Sequence, residues 1–262
     1  MKTLGFLGAG NMGGALIRGL IEFHAIDPDE VYVVGHHPEK LKAFSDELGF
    51  HVLENIEALA EKCDAILFAV KPYHIEAILK ESGHLLKDKI MLSVISGYDF
   101  DRYAPLLDPS TRHLYIMPNT PSSVGEGVLM FEEKHSLTDE EYKWVHGMFS
   151  AIGRVFTLPS RLMGAGAAVA GCGPAFIAMA IEALSDAGVK YGIPRAKSYE
   201  LASQMVLGTA KMQLETGMHP GAIKDGVCSP LGTTIRGVQA LEKAGMRSAF
   251  MDAVDAVMNY GK

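Results

Sequence analysis

An α/β plus all-α architecture, an open doubly wound parallel sheet followed by a separate helical domain, is what this sequence predicts on three observations. Apolar runs of strand length alternate with amphipathic helical stretches from residue 1 to about residue 160. A glycine-rich turn holding Gly8, Gly10, Gly13 and Gly14 follows the first apolar run and opens the first helical stretch. From Arg161 onward the strand signals stop, and Ala, Met and Leu take over in long helical runs punctuated by Pro174, Pro194, Pro220 and Pro230. The expected domains are 1–160 and 161–262.

The first strand is Thr3 to Leu7, and the helix after it opens near Asn11. Ordered glycine costs conformational entropy, so the cluster between them needs a reason. Gly8, Gly10 and Gly13 meet the G-x-G-x-x-G fingerprint of a Rossmann dinucleotide-binding turn. Gly8 then makes the tight turn, Gly10 lets the backbone approach a pyrophosphate, and Gly13 lets helix and strand pack closely. A secretory signal is the competing reading of a lysine followed by small apolar residues. Asn11 interrupts that run, and Arg18 stands where it should continue.

A second strand, Val31 to Gly35, leads into PEKLKAFSDELG, a helix with Leu41, Phe44 and Leu48 on one face and Gly49 to end it. A strand at His51 to Leu53 and a short helix at Ile56 to Lys62 come next. The run AILFAV then suits a strand buried on both faces of a parallel sheet. IMLSVISG and HLYIMPN repeat the theme, with the amphipathic stretch Ile75 to Leu86 before the first of them.

In the second half, Leu162 to Ile181 carries no charge and is long enough to span a bilayer. Its alanines and glycines, the turn-like GCGP and Pro174 point instead to a helix buried at a domain or subunit interface. Ala196 to Glu215 is apolar almost all round, through Leu201, Met205, Val206, Leu207 and Met212. That calls for cover on more than one face, hence a partner subunit.

The 262 residues, 48% hydrophobic and 21% charged, are enough for a substantial core. A net charge of −7 argues against nucleic acid or an anionic membrane as partner. The three cysteines, Cys63, Cys172 and Cys228, are widely spaced with no C-x-x-C pair, which suits a reducing cytoplasm. No metal is expected.

In an NAD-binding turn of this kind an acidic residue about 20 positions beyond the glycines bonds the ribose 2′-hydroxyl. Here the second strand ends in Gly35, His36 and His37, with Lys40 close behind. NADPH is therefore favoured, with NADH also accepted, although both histidines also read as solvated loop residues. Ala69, Val70, Lys71 and Pro72 end a later strand at the edge where open α/β sheets bind ligands. Lys71 is a candidate catalytic group there, or only a surface charge. Asn119 and Thr120 end HLYIMPNT in the same manner and offer neutral hydrogen-bonding groups. In the helical half, Ser229, Pro230, Gly232 and Thr233 form a polar loop that runs into a helix bearing Ile235, Val238 and Leu241. Free N–H groups at that helix start, with the Thr233 and Thr234 hydroxyls, suit a carboxylate. An ordinary threonine cap on a structural helix is the alternative.

Taken together, GFLGAGNMG, FAVKP, MPNTP, AGCGPAF, HPG and above all KDGVCSPLGTTIRGVQALE resemble the Δ1-pyrroline-5-carboxylate reductase family, in order and over essentially the whole chain. The resemblance implies a Rossmann domain followed by a helical dimerisation domain, and reduction of a cyclic imine to L-proline with NAD(P)H. It implies cofactor contacts at Leu7, Gly8, Ala9, Gly10, Asn11, Met12, His36, His37, Asn55, Ala69, Val70, Lys71, Pro72 and Ser96. It places the substrate carboxylate on the backbone of Gly232, Thr233 and Thr234, with Asn119 as a further substrate contact. The Thr234 hydroxyl then lies close to the ring nitrogen and is the first catalytic candidate. A homodimer built through the helical domain, often extended to a decamer of five dimers, is also implied. Leu231 departs from the family's usual S-P-G-G-T-T, and Cys172 stands where serine is usual. A positive φ would strain Leu231, so a negative one is expected. A β-hydroxyacid dehydrogenase would need lysine where Ile177 stands. Reduction of a related cyclic imine, or NADPH binding without turnover, would also fit the sequence.

Overall fold

The strand sequences are short and apolar, and in the computed structural model, which describes residues 2–260, they form one eight-stranded sheet. Met1, Gly261 and Lys262, at the outer ends of the two expected domains, lie outside the described residues. The first half alternates β1 (Leu4–Leu7), α1 (Asn11–Glu22), β2 (Val31–Val34), α2 (Pro38–Leu48), β3 (His51–Val52), α3 (Ile56–Lys62), β4 (Ala65–Phe68) and α4 (Pro72–Ser82). It continues through β5 (Ile90–Ser93), the single turn α5 (Phe100–Tyr103), β6 (Arg112–Met117), β7 (Gly127–Glu132), α6 (Asp139–Ser150) and β8 (Gly153–Leu158). The spatial order is β3-β2-β1-β4-β5-β6-β7-β8. β1 to β6 pair in parallel, β7 runs antiparallel to β6, and β8 is parallel to β7.

β1, β4 and β5 are buried at every position, as expected of strands covered on both faces. Two apolar layers sandwich them. One is built on Leu16, Ile17 and Leu20 of α1 with Val145 and Phe149 of α6. The other is built on Leu59, Ile75, Leu79 and Leu86. Helix α1 seats against residues 120–124 so tightly that a Cβ on Gly19 would stand 2.2 Å from the Ser122 carbonyl oxygen. The strand order reverses between β1 and β4, and at such a point both strand ends leave a crevice.

The alternation expected to about residue 160 covers β7, α6 and β8, although the sequence assigns none of the three individually. They extend the sheet, and α6 begins with a capping box in which Thr138 and Glu141 bond each other's backbone N–H. Arg112 then reaches Glu141 at 2.8 Å, joining β6 to α6.

One compact unit ends at Cys172 and a second begins at Gly173. In the first, α7 (Ser160–Gly166) follows β8, and Met163 packs with Tyr115 and Met130. A π-helical turn at Ala167–Gly171 leads on to Cys172. In the second, α8 (Gly173–Lys190) and α9 (Arg195–Thr216) form a hairpin. A Cβ on Gly188 would meet the Ser198 hydroxyl at 2.3 Å, and Ser198 donates to the Ser185 carbonyl at 2.8 Å. α10 (Pro220–Val227), α11 (Thr233–Lys243) and α12 (Met246–Met258) complete it.

The apolar residues that called for cover find little of it within the chain. Leu201, Met205, Leu207 and Met212 of α9 are exposed, and only Ser198 and Ala202 of that helix are buried. Within Ser160–Lys190 an 18-residue window has the length and hydropathy of a membrane span, and only 6% of that window is buried. The burial expected of Leu162 to Ile181 is thus not supplied within a single chain.

Candidate active site

At the crevice between β1 and β4, the three fingerprint glycines meet three different surroundings. Gly8 has φ +107°, and its N–H donates to the Val34 carbonyl at 2.8 Å, which turns the chain sharply at the end of β1. A Cβ there would stand 2.7 Å from the Ala69 carbonyl oxygen. Gly13 lies against the same turn, 2.3 Å from its Cβ position to the Gly8 oxygen. Gly10 is exposed, and a Cβ on it would meet nothing within 4 Å. It is also the N-cap of α1, and no side chain caps that helix. An open approach to uncapped helix N–H groups fits a pyrophosphate. Leu7, Ala9, Asn11 and Met12 line the same turn, with Asn11 exposed.

Ala69 joins the crevice from the other side, its N–H on the Leu7 carbonyl at 2.9 Å. Val70 follows it, then Lys71 as the exposed N-cap of α4 and Pro72 as its first residue. Proline suits that position because the N–H it lacks has no intrahelical partner there. Ser96 is exposed in the loop after β5. At the end of β2, His36 and His37 are exposed, and His37 caps α2 without a side-chain bond. Lys40 is exposed in the first turn of that helix. Arg18 of α1 is committed elsewhere, to Glu22 at 2.7 Å and Glu47 at 2.8 Å.

Two predicted contacts have other work in this structure. The Asn55 carboxamide accepts the Ala58 N–H at 2.9 Å and caps α3. Asn119 is only 5% exposed. Its Oδ1 accepts the Val128 N–H at 2.9 Å, and its Nδ2 donates to the Ala170 carbonyl at 3.0 Å. A π turn leaves carbonyls without their usual helical donors, and Asn119 satisfies one of them. This is the geometry of a residue that ties β7 to the π turn, and it leaves one Nδ2 hydrogen and one Oδ1 lone pair for the substrate contact expected of Asn119.

In the helical unit, Ser229 to Gly232 form a β-turn closed by the Gly232 N–H on the Ser229 carbonyl at 3.0 Å. Pro230 occupies its second position and Leu231, with φ +62°, its third. That pattern is a type II turn, which favours glycine at the third position. The negative φ expected of Leu231 is therefore corrected: it is left-handed, at a cost of about 1–2 kcal/mol for an L-residue. Gly232 is the N-cap of α11, and no side chain caps the helix. Thr233 and Thr234 are its first two residues and both are exposed. The ordinary threonine cap thus gives way to a glycine cap, an open helix start and two exposed hydroxyls.

Known proteins match this chain in sequence and in fold. Residues 160–262 match the family described as pyrroline-5-carboxylate reductase dimerisation. Residues 3–97 match that described as NADP oxidoreductase coenzyme F420-dependent. A pyrroline-5-carboxylate reductase of Treponema pallidum is 38% identical over 98% of this chain and 99% of its own length. That of Escherichia coli is 38% identical over 98% of this chain and 96% of its own. A Plasmodium falciparum pyrroline carboxylate reductase solved with NADP bound superposes with a TM-score of 0.88 at 30% identity, covering 98% of this chain and 95% of that one.

Proposed function

The chain belongs to the pyrroline-5-carboxylate reductase family, and from that membership we propose that it reduces Δ1-pyrroline-5-carboxylate to L-proline with NADPH ahead of NADH. The observation that carries the reading is the open start of α11 behind a fixed turn, with Thr233 and Thr234 exposed beside it.

Imine reduction asks little acid–base chemistry of a protein, because a protonated C=N already carries the positive charge that attracts hydride. The reduced nicotinamide supplies that hydride when bound. What remains is positioning. The N–H groups of Thr233 and Thr234 hold the substrate carboxylate, and Gly232, expected to share that role, instead closes the turn beneath it with its N–H on the Ser229 carbonyl. The Thr234 hydroxyl accepts the proton of the iminium N–H in a hydrogen bond and orients the ring carbon. In the first domain, Gly8 to Met12 carry the pyrophosphate, and Ala69 to Pro72 with Ser96 border the nicotinamide end. Lys71 is the second catalytic candidate there, and Asn55 contributes from the head of α3. His36, His37 and Lys40 accept the 2′-phosphate, which meets no carboxylate at Gly35 to His37.

Functionally the chain divides at 160/161, with residues 1–160 serving the dinucleotide and 161–262 serving dimerisation and substrate. The exposed apolar faces of α8 and α9 support a homodimer through the helical part, and by family a decamer. The reaction needs no metal, nucleic acid or membrane, and the chain works in the cytoplasm.

Thr234→Val tests the assignment while keeping the β-branched shape. A hydrogen bond to a charged group is worth roughly 1.5–3 kcal/mol, so kcat/KM for the imine should fall about 10- to 150-fold with NADPH affinity unchanged. A variant that binds NADPH normally and reduces the imine at the wild-type rate contradicts the role given to Thr234.

A further inference from the structure

We propose that Leu231 sets the ring size of the imine this chain accepts, its side chain standing beside the ring of a substrate held by its carboxylate at the head of α11. The proposal rests on the substrate reading of that loop given above. Leu231 carries two separate costs. Its apolar side chain is 91% exposed, and its backbone is left-handed at φ +62°. Within the chain neither is repaid by burial.

The turn cannot relax to remove them. Pro230 fixes the preceding φ, and the Gly232 N–H is bound to the Ser229 carbonyl at 3.0 Å. Gly232 is itself crowded, since a Cβ on it would stand 2.4 Å from the Ser229 hydroxyl oxygen. Leu231 is thus held at one fixed place, with only Gly232 between it and Thr233. A carboxylate on the first N–H groups of α11 brings the apolar ring carbons of a cyclic imino acid beside that place. A branched side chain there covers ring methylenes of the right number and obstructs one more. A leucine retained at a position that suits glycine, exposed and strained, is accounted for by that contact.

Two substitutions separate the side chain from the strain. Leu231→Ala removes the side chain and keeps the left-handed residue, whereas Leu231→Gly removes both. Neither deletes a buried contact. The assay is kcat/KM for the five-membered imine and for its homologue with one more ring methylene, with thermal midpoints alongside. One methylene in a hydrophobic site is worth about 10- to 200-fold in discrimination. Both variants should therefore raise the ratio of six- to five-membered turnover by about tenfold or more, and by similar factors. Only Leu231→Gly should raise the thermal midpoint.

An unchanged ratio in both variants overturns the proposal. So does an unchanged ratio accompanied by a weakened dimer, which would mean that a second copy of the chain covers Leu231. A wild-type chain that binds NADPH and reduces neither imine removes the substrate reading itself, and this proposal with it.

Discussion

Replacing Gly10 by alanine should leave the fold intact and cost the chain its dinucleotide, whereas the same change at Gly13 should cost stability first. The Cβ position of Gly13 lies 2.3 Å from the Gly8 carbonyl oxygen, so a methyl group there forces α1 away from the turn by about 1 Å. Overpacking of that kind costs about 1–3 kcal/mol. At Gly10 the added methyl meets nothing within 4 Å, and the backbone, at φ −72° and ψ −166°, suits any residue. Alanine is a poorer N-cap than glycine, but it also lowers the entropy of the unfolded chain by about 0.4–1 kcal/mol, so the two effects nearly cancel. The open space at Gly10 is where the pyrophosphate belongs, and a methyl group there should weaken NADPH by at least tenfold, about 1.4 kcal/mol. Thermal unfolding of the ligand-free variants and calorimetric titration with NADPH measure the two effects separately. If Gly10→Ala binds NADPH as tightly as the wild type, the pyrophosphate does not lie on this turn.

Two further outcomes follow from single side chains. Gly35→Asp should shift the kcat/KM ratio toward NADH by like-charge repulsion of the 2′-phosphate, because the nearest atom to a Cβ there is Leu41 Cδ2 at an ordinary 3.4 Å. An unchanged ratio would put the phosphate elsewhere. Glu132 is fully buried at the end of β7, with Oε2 accepting the Phe100 N–H at 2.8 Å. Burial raises its pKa above the ordinary carboxylate range, Asp99 and Asp101 add to that, and the Ser160 and Phe100 bonds oppose it. A raised value in the folded state means stability that is full below the unfolded pKa and is lost as pH rises through the folded one. Glu132→Gln should therefore gain in thermal midpoint over the wild type as pH rises from about 4.5 toward neutrality. A difference independent of pH would refute this.

The parallel sheet was legible because a strand buried on both faces has to be a continuous apolar run, as AILFAV is. The crevice was legible because only glycine tolerates φ +107° at Gly8 and the close approach at Gly13. β7 and β8 were harder to read. Gly127–Glu132 is an apolar run too, but its direction is fixed by pairing with β6, which no local pattern records. The capping box at Thr138 and Glu141 was a readable signal for α6. Asn119 reads as a ligand contact because it ends a strand at the binding edge, and its structural bonds have no local signal. Its commitment to Val128 and Ala170 depends on a π turn 51 positions further on. Leu231 was misjudged because residue type outweighed turn type: Pro230 at the second position of a closed turn leaves the third left-handed, even for leucine.

The most direct measurement is the fate of the transferred hydrogen. Incubated with Δ1-pyrroline-5-carboxylate and NADPH deuterated at the transferable C4 position, the protein should form L-proline bearing one deuterium on C5 for each cofactor oxidised. Proline without deuterium, or a cofactor that binds and is never oxidised, would contradict hydride transfer to the imine carbon and the account built on it.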